Sequence, residues 1–219
     1  MRVSVIGAGL AGCEAAHQLA KFGISVDLVE MKPQKYTPAH HYPGFAELVC
    51  SNSLKASRPD SAAGMLKQEM RLFGSLVMES AEQCSVAAGG ALAVDRKKFS
   101  DYITRRIREN PLIRVIEQEL DQVPEGEVII ASGPLTSEPL AQAIQRLVES
   151  EGLSFFDAAA PIVSAESVNR EIVFSASRYG EGEEGDYLNC PMNREEYEQF
   201  YQALVEAESV PLKDFDRRD

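Results

Sequence analysis

The amino-acid sequence predicts an α/β fold built on a parallel sheet, and three observations near its start predict it. A short apolar strand at residues 3–6 runs directly into a glycine-rich turn. A helical pattern follows, with small and apolar residues on one face, and a second apolar strand at residues 24–29 ends in Glu30. A strand, a tight turn, a helix and a second strand in this order are typical of a Rossmann-like nucleotide-binding domain.

The turn after the first strand carries a complete dinucleotide-binding motif, G-A-G-L-A-G. Gly7 allows the tight turn, Gly9 lets the backbone approach a pyrophosphate, and Gly12 lets the helix pack closely on the strand. The helix N-terminus offers free N–H groups and the positive end of its dipole to the phosphates. The candidate cofactor-binding residues of the turn are Gly7, Ala8, Gly9, Leu10, Ala11 and Gly12.

The acid at the tip of the second strand, Glu30, completes the motif. A carboxylate at this place can accept hydrogen bonds from ribose hydroxyls. It favours an unphosphorylated ribose, as in FAD or NAD, over NADP, whose extra phosphate it would repel. A glycine turn that binds nothing would account for the glycines but not for Glu30.

Length and composition limit the remaining possibilities. The 219 residues, 44% of them hydrophobic, can form one large domain or one and a half with a real core. The net charge of −12 gives no general attraction to nucleic acid, so such a partner would need a local basic patch or basic surface outside this chain. No apolar run approaches a membrane span, and the N-terminus does not match a signal peptide. The four cysteines are widely spaced without a C-x-x-C pair, which argues against zinc or a disulfide framework and for a reducing, cytoplasmic location.

The region after Glu30 predicts a long loop followed by a short helix. Residues 31–63 contain four prolines and few periodic apolar positions, and a loop of this length is usually functional or disordered. The helix that follows is expected to direct four apolar side chains inward, namely Met65, Leu66, Met70 and Phe73. The pair Gly89-Gly90 then predicts a bend or a strand pair within residues 86–94.

A second helix should begin after Asp95, which is a good N-cap residue. Its buried face would carry Phe99, Ile103 and Ile107, and the pattern ends at Asn110-Pro111. The basic residues of this helix are interpreted as a solvated surface: Lys97, Lys98, Arg105, Arg106 and Arg108.

Two further strands are predicted at residues 113–117 and 127–131, and the second ends in a turn of small residues. This turn at 132–134 resembles the A-T-G turn that returns to the cofactor in two-dinucleotide flavoproteins, which makes Gly133 a further candidate cofactor-binding residue. A helix is expected at 137–150, with Leu140, Ile144 and Leu147 in register.

The composition changes again from about residue 153. Short strands are predicted at 153–156, 161–165 and 171–175, and residues 180–186 form an acidic segment without periodicity. Asn193 and Glu196 have the spacing of a capping box that opens a final helix.

Cys50 is the most interesting of the four thiols. It is followed by three small polar residues, and near a helix dipole or a flavin such a thiol could be reactive. A buried structural thiol explains the local sequence equally well. Cys13 is expected to pack on the first helix, and Cys84 has no polar neighbours in the sequence. Cys190 precedes a proline at a turn and is either a second reactive thiol or, by preference, a structural one. The adjacent histidines His40 and His41 have no third ligand nearby, so no metal site is predicted.

Six segments, in order, read G-A-G-L-A-G-C-E-A-A, P-A-H-H-Y-P-G-F-A-E-L-V-C-S-N-S-L-K, A-L-A-V-D-R, D-A-A-A-P-I-V-S-A-E-S, A-S-R-Y-G and Y-L-N-C-P-M-N. Together they closely resemble the folate- and FAD-dependent tRNA (uracil-5-)-methyltransferase family over nearly the whole chain. The segment around Cys50 is the most specific of the six. A related flavoprotein family that modifies the tRNA wobble uridine usually has His where Leu10 stands, and it lacks this cysteine segment.

The resemblance implies an FAD-binding, Rossmann-like domain of the glutathione-reductase-like flavoprotein class at residues 1–155. The start of an inserted α+β domain would follow at residues 156–219. It implies FAD as the cofactor, NADH or NADPH as the reductant and methylenetetrahydrofolate as the carbon donor. The substrate would be a uracil in the T-loop of tRNA, methylated at C5, with no membrane partner.

The family uses two cysteines, and the resemblance assigns Cys50 the catalytic role of helping to remove the C5 proton. The other cysteine attacks C6 of the uracil and would lie beyond Asp219. The chain is therefore expected to be the N-terminal portion of a longer protein, without the segment that closes the FAD site. Alone it is expected to bind FAD weakly or not at all and not to methylate tRNA.

Two other functions stay open on the residues. One is a flavin oxidoreductase with Cys50 as a redox thiol and a small-molecule substrate. The other is a nucleotide-binding module without catalysis.

Overall fold

The structure, a computed structural model, describes residues 1–148, 163–176, 185 and 187–208. The chain divides into two compact units, Met1–Val86 with Gly90–Ala160 and Ala87–Gly89 with Pro161–Asp219. The expected domain boundary between residues 155 and 156 lies outside the described residues, as do the predicted strand at 153–156 and most of the acidic segment.

The elements of the first unit alternate between strands and helices over most of its length. In chain order they are β1 (Arg2–Ile6), α1 (Leu10–Lys21), β2 (Ser25–Glu30), β3 (Ser53–Ala56), α2 (Ala62–Leu72), α3 (Leu76–Gln83), β4 (Ser85–Val86), β5 (Ala91–Val94), α4 (Arg96–Arg108), β6 (Ile113–Glu117), β7 (Glu127–Ile130) and α5 (Glu138–Val148).

A four-stranded parallel sheet with the strand order β6-β2-β1-β7 forms the centre of the first unit. Its strands coincide within one residue with the four strands predicted from the sequence, and the α/β class is confirmed. The register places Ile6 of β1 opposite both Val29 of β2 and Ile130 of β7. The carboxyl ends of the strands therefore meet at one edge, where Gly7 and Glu30 lie, and ligands of such sheets bind at this edge.

The helices α1, α3 and α4 bury their apolar faces in one core. On α4, Phe99, Ile103 and Ile107 are fully buried, which confirms the predicted face. Asp95 caps this helix by accepting a hydrogen bond from the backbone N–H of Lys98 at 3.0 Å, also as predicted. The helices are joined by polar contacts as well as by packing.

One such contact links α1 to the N-terminus of α3. The carboxylate of Glu14 accepts from the Ser75 hydroxyl at 2.8 Å and from the Val77 N–H at 3.0 Å. A carboxylate at a helix N-terminus satisfies free N–H groups and opposes the positive end of the helix dipole.

The basic residues of α4 are mostly exposed, as predicted, but three of them form ion pairs. Lys98 lies 3.9 Å from the N-cap carboxylate of Asp95. Arg106 is half-buried and pairs with Glu79 of α3. Arg108 forms an ion pair of 2.5 Å with Glu117 at the end of β6.

The second sheet of this unit is antiparallel, in the order β3-β5-β4. The strand pair β4–β5 confirms the bend predicted around Gly89-Gly90. Strand β3 lies within the segment that the sequence predicts as loop throughout, so that prediction is wrong for Ser53–Ala56. The strand is short and irregular, because Lys55 adopts a left-handed backbone (φ 66°) and the register shifts between its ends. A strand of this kind has no clear alternation of apolar residues.

The orientation predicted for α2 is wrong. Three of the four residues expected inward are largely exposed: Met65 (58%), Leu66 (58%) and Phe73 (73%). The buried face instead holds Gly64 and Lys67, with Met70 partly buried. Gly64 packs so closely that a Cβ there would lie 1.7 Å from the carbonyl oxygen of Arg58. Lys67 donates to the carbonyl oxygen of Ala56 at the end of β3 and to that of Ala63 in the first turn of α2 itself. The contact with Ala56 holds the Lys67 side of α2 against β3, so the apolar side of α2 faces outward.

Helix α5 buries Leu140 and half-buries Ile144, but Leu147 near its end is 66% exposed. Its predicted last residues, 149 and 150, are outside the described part. In what the structure describes, no helix combines the length and the apolar character that crossing a membrane requires.

The second unit contains a hairpin of β8 (Phe174–Ala176) and β9 (Tyr187–Asn189) and the helix α6 (Arg194–Glu206). The predicted capping box is confirmed, with Asn193 and Glu196 each accepting from the other's backbone N–H. Residues 163–165 do not continue the strand predicted at 161–165, since a short 3₁₀ helix begins at Ala165.

Asp27 lies on β2 beside two arginines. Arg114 of β6 is opposite Asp27 in the register and donates to both carboxylate oxygens, at 2.9 and 2.6 Å, and Arg2 donates to one of them. Burial alone would raise the pKa of Asp27, but the hydrogen bonds and charges of the two arginines together hold that pKa below its ordinary value of 3.8.

We expect the substitution Asp27→Asn to lower the free energy of unfolding at pH 7 by about 1–2 kcal/mol, because it removes charge-assisted hydrogen bonds. Since the pKa of Asp27 is lowered by folding, its contribution is complete above pH 3.8 and is lost as the pH falls below that value. Urea unfolding at pH 7 and at pH 3 measures both effects. The variant should lose less stability on acidification than the parent chain, and an equal loss would contradict the assignment.

Candidate functional site

A pocket of ≈ 680 Å³ of empty volume, partly open to solvent, lies at the carboxyl edge of the parallel sheet. The glycine turn forms one wall, with Gly7 and Gly9. The end of β2, with Glu30, and the residues after β6, with Gln118, form further walls, and Ser132 after β7 also lines the pocket. The whole pocket belongs to the first unit.

A different structural feature explains the presence of glycine at each of the three positions of the turn. Gly7 has a positive φ of 95°, and a Cβ there would lie 2.8 Å from the carbonyl oxygen of Ala131. A Cβ on Gly12 would lie 1.7 Å from the carbonyl oxygen of Gly7, so the helix can sit on the turn only without a side chain. Gly9 has no atom within 4 Å of the corresponding position. The fold therefore needs Gly7 and Gly12, whereas the open space beside Gly9 is available to a ligand.

Glu30 lines the pocket, as the motif predicts, and is itself held in place. One carboxylate oxygen accepts from the Ala8 N–H at 2.7 Å and the other accepts from the Lys32 N–H at 3.0 Å. Each oxygen of a carboxylate can accept more than one hydrogen bond, so ribose hydroxyls can still bind here. The two backbone contacts fix the orientation of the carboxylate before any ligand arrives.

The segment between His41 and Glu47 packs directly on the glycine turn. The backbone N–H of Ala46 donates to the carbonyl oxygen of Ala8 at 2.8 Å, and Phe45 is fully buried beneath it. Helix α4 holds the same place from the other side, since the Ser100 hydroxyl donates to the Phe45 carbonyl at 2.5 Å. This contact was not predicted from the sequence. The only indication of it there was a large apolar residue, Phe45, within a proline-rich loop.

Lys32 is a site residue that sequence reasoning missed. Only 4% of the residue is exposed, and its ammonium group forms an ion pair of 3.2 Å with Glu47. The same ammonium donates to the carbonyl oxygens of Tyr42 at 3.0 Å and Gly44 at 2.7 Å. Glu47 in turn accepts from the backbone N–H groups of His41 and Tyr42. The available signal was the pair of opposite charges on either side of the loop.

Cys50 follows this segment as an exposed, free thiol. The alternative of a buried structural thiol is therefore wrong for Cys50. Cys13 and Cys84 are buried, and burial raises the pKa of each thiol. Cys190 is exposed.

The pocket contains about half of the residues predicted for the site. Those that line it are Gly7, Ala8, Gly9 and Glu30. Those that lie outside the lining are Leu10, Ala11, Gly12, Gly133 and Cys50. Gly133 begins a short 3₁₀ helix with a positive φ of 69°, and its neighbours Ser132 and Leu135 line the pocket in its place.

His40 is a further lining residue that the motif does not include. Its Nδ1 is 2.6 Å from the hydroxyl of Thr37, which also lines the pocket. Burial lowers the pKa of His40, and the charge of Lys32 lowers it further. The imidazole is thus suited to hydrogen bonding in its neutral form. Among the described residues no group of three or more His, Cys, Asp or Glu side chains is placed to hold a metal ion.

Comparison with known proteins defines the class to which this fold and site belong. The family model for "Glucose inhibited division protein A" (GIDA) matches residues 2–219, and the chain belongs to this family. Among solved structures, Aquifex aeolicus GidA is similar over 57% of this chain and 20% of its own, with 16% identity and a TM-score of 0.47.

Curated relatives are much more similar in sequence. A protein of Desulforamulus reducens is 57% identical over 218 residues, which is 99% of this chain and 49% of the relative, and one of Caldicellulosiruptor bescii is also 57% identical, over 50% of its length. Both carry the name methylenetetrahydrofolate–tRNA-(uracil-5-)-methyltransferase TrmFO, which agrees with the resemblance found from the sequence. The chain spans about half the length of these relatives.

Two glycine substitutions should separate folding from ligand binding. Gly12→Ala is expected to cost more than about 3 kcal/mol of stability, because its Cβ would overlap the Gly7 carbonyl oxygen. Gly9→Ala should change stability by less than about 1 kcal/mol, since its Cβ meets only open space. In the full-length protein it should still weaken dinucleotide binding at least about tenfold, by filling the approach to the pyrophosphate. Thermal unfolding and fluorescence titration with FAD measure the two quantities, and a destabilised Gly9→Ala variant would contradict this division.

The exposure of the thiols predicts their order of reaction with Ellman's reagent. Cys50 and Cys190 should react in the native chain at pH 8, whereas Cys13 and Cys84 should react only after denaturation. The double variant Cys50→Ser/Cys190→Ser is the control, and it should show no rapid phase. A rapid phase that persists in this variant would show that a buried thiol is accessible.

Proposed function

We propose that this chain is part of a flavin-dependent tRNA methyltransferase, which transfers a one-carbon unit from methylenetetrahydrofolate to C5 of a T-loop uracil. The names of the curated relatives support the reaction. The observation that carries the proposal is the hydrogen bond from Ala46 to Ala8, which attaches the segment leading to Cys50 to the dinucleotide turn. A dinucleotide site and an exposed thiol on neighbouring segments are what such a reaction requires.

The residues of the pocket fit the dinucleotide part of FAD. The open space beside Gly9 and the N-terminus of α1 suit a pyrophosphate, and Glu30 suits the ribose hydroxyls. When bound, FAD would supply the reducing electrons for the carbon transfer. We propose Gly7, Ala8, Gly9, Leu10, Ala11, Gly12, Glu30 and Gly133 as the residues that surround it.

We assign Cys50 the role of base at C5 of the uracil. Its thiol is exposed and follows Glu47 by three residues, so it can approach a large substrate such as RNA. After a nucleophile adds to C6 of the uracil, C5 carries the new carbon and must lose its proton. The thiolate of Cys50 accepts this proton, and the C5–H electron pair then expels the nucleophile from C6.

The co-substrates, partners and location in the proposal are inferred from the similarity to the curated relatives. NADH or NADPH would reduce the cofactor, tRNA and the folate would be the other partners, and the reaction would take place in the cytoplasm. The reaction needs no membrane partner.

In the full-length protein, Cys50→Ala should reduce methylation of a T-loop RNA at least about 100-fold, because positioned general bases typically contribute this much or more. Reduction of FAD by NADH or NADPH should stay within about twofold of the parent, since the pocket keeps its lining. Cys190→Ala is the matched control, because it also removes an exposed thiol, and it should retain methylation.

Radiolabel transfer to RNA and flavin absorbance measure the two activities separately. Loss of flavin reduction in Cys50→Ala, with methylation never detected in the parent, would instead support a redox thiol. Methylation at the parent rate in Cys50→Ala would remove Cys50 from the mechanism.

A further inference from the structure

A closed ring of hydrogen bonds joins the dinucleotide turn to the segment that precedes Cys50. The backbone N–H of Ala8 donates to Glu30 at 2.7 Å, and Glu30 accepts from the backbone N–H of Lys32 at 3.0 Å. The ammonium of Lys32 donates to the carbonyl oxygen of Gly44 at 2.7 Å. Ala46, two residues further, donates back to Ala8 at 2.8 Å. Lys32 is the member that spans the ring, because its backbone holds Glu30 and its side chain holds the loop.

The side chain of Lys32 is firmly fixed. It has three donors, and they are directed to Tyr42, Gly44 and Glu47. The side chains of Lys32 and Glu47 are only 5% and 13% exposed, so water competes little for this ion pair. Lys35 offers a contrast three residues later, because its ion pair with Glu119 is 51% and 29% exposed.

The backbone of the held segment gives an independent indication that it is constrained. Ala46 has a left-handed φ of 49°, which residues with a Cβ rarely adopt. Such a conformation persists only where the surroundings impose it, and here the Ala8 carbonyl, Phe45 in the core and helix α4 all contribute. The segment therefore cannot shift without breaking contacts to the turn.

We propose that Lys32 is a positioning residue, which couples occupation of the dinucleotide site at Glu30 to the placement of Cys50. This inference rests on the proposed function for the identity of the ligand and of the reacting thiol. A ligand that donates hydrogen bonds to the Glu30 carboxylate changes the hydrogen bond between this carboxylate and the Lys32 backbone. The Lys32 side chain transmits the change to residues 42–47. Coupling of this kind is reciprocal, so loosening the segment also changes dinucleotide affinity.

The first experiment measures the placement of Cys50 without any ligand. In a Cys190→Ser background, the rate of Cys50 alkylation by N-ethylmaleimide is compared in the parent, Lys32→Met, Lys32→Arg, Glu47→Gln and Lys35→Met. Lys32→Met should change the rate at least about fivefold and should increase amide hydrogen exchange at residues 41–47, while β1 and β2 stay protected. Lys32→Arg should restore part of the rate, and the surface control Lys35→Met should stay within about twofold.

Glu47→Gln keeps the shape of the side chain and removes only its charge. Glu47→Gln should shift the alkylation rate of Cys50 in the same direction as Lys32→Met, by a smaller factor. If Lys32→Met does not fold, Glu47→Gln tests the positioning role in its place. A rate in Lys32→Met or Glu47→Gln equal to that in Lys35→Met would overturn the positioning role.

The second experiment measures the coupling in the full-length protein. FAD should change the rate of Cys50 alkylation at least about threefold in the parent and leave it unchanged in Lys32→Met, even at FAD concentrations that saturate the variant. An FAD effect that is equal in the two proteins, or absent from the parent, would overturn the coupling. Neither measurement uses tRNA or folate. A protein that passes both and still does not methylate RNA would therefore refute the proposed reaction and leave the role of Lys32 standing.

Discussion

The contact between Gly12 and Gly7 is the constraint on which the rest of the site depends. Because Gly12 has no side chain, the first turn of α1 rests on the carbonyl oxygen of Gly7. This contact sets the direction of α1. It also leaves both backbone polar groups of Ala8 free to bind other parts of the site. The Ala8 N–H faces Glu30, and the Ala8 carbonyl oxygen accepts from both Ala46 and the buried Cys13. One close approach thus organises the turn, the acid and the loop together.

The parts of the fold that the sequence predicts well are those that depend on local signals. The strands of the parallel sheet are short apolar runs bounded by glycine or polar residues, and the buried face of α4 repeats with the helical period. Asp95 and Asn193 cap helices through contacts three residues away. Strand β3 and the orientation of α2 could not be predicted, because Gly64 and Lys67 are buried by contacts with Arg58 and with the end of β3, and no helical period records such contacts.

The residues of the candidate site likewise fall into two groups, those that the sequence predicts and those that only the fold brings together. Gly7 and Glu30 belong to a motif whose spacing is fixed by the chemistry of a dinucleotide, so sequence alone locates them. Lys32 binds backbone carbonyl oxygens of residues 10 and 12 positions later, and any residue type can supply a carbonyl. Its role therefore leaves no sequence pattern beyond the opposite charges of Lys32 and Glu47, and only the folded chain brings these two residues and the glycine turn together.

The strand order also has a consequence for the folding of the chain during its synthesis on the ribosome. Strand β1 pairs on one side with β2, where Val3 lies opposite Val26, but on the other side with β7, where Val3 lies opposite Glu127. At about 5–20 residues per second, roughly 6–25 seconds pass between the synthesis of these two partners. During that time the open edge of β1 is available to other chains, and a parallel sheet closed by so distant a contact is slow to complete. The edge of β1 is therefore protected from such pairing only after β7 has been synthesised.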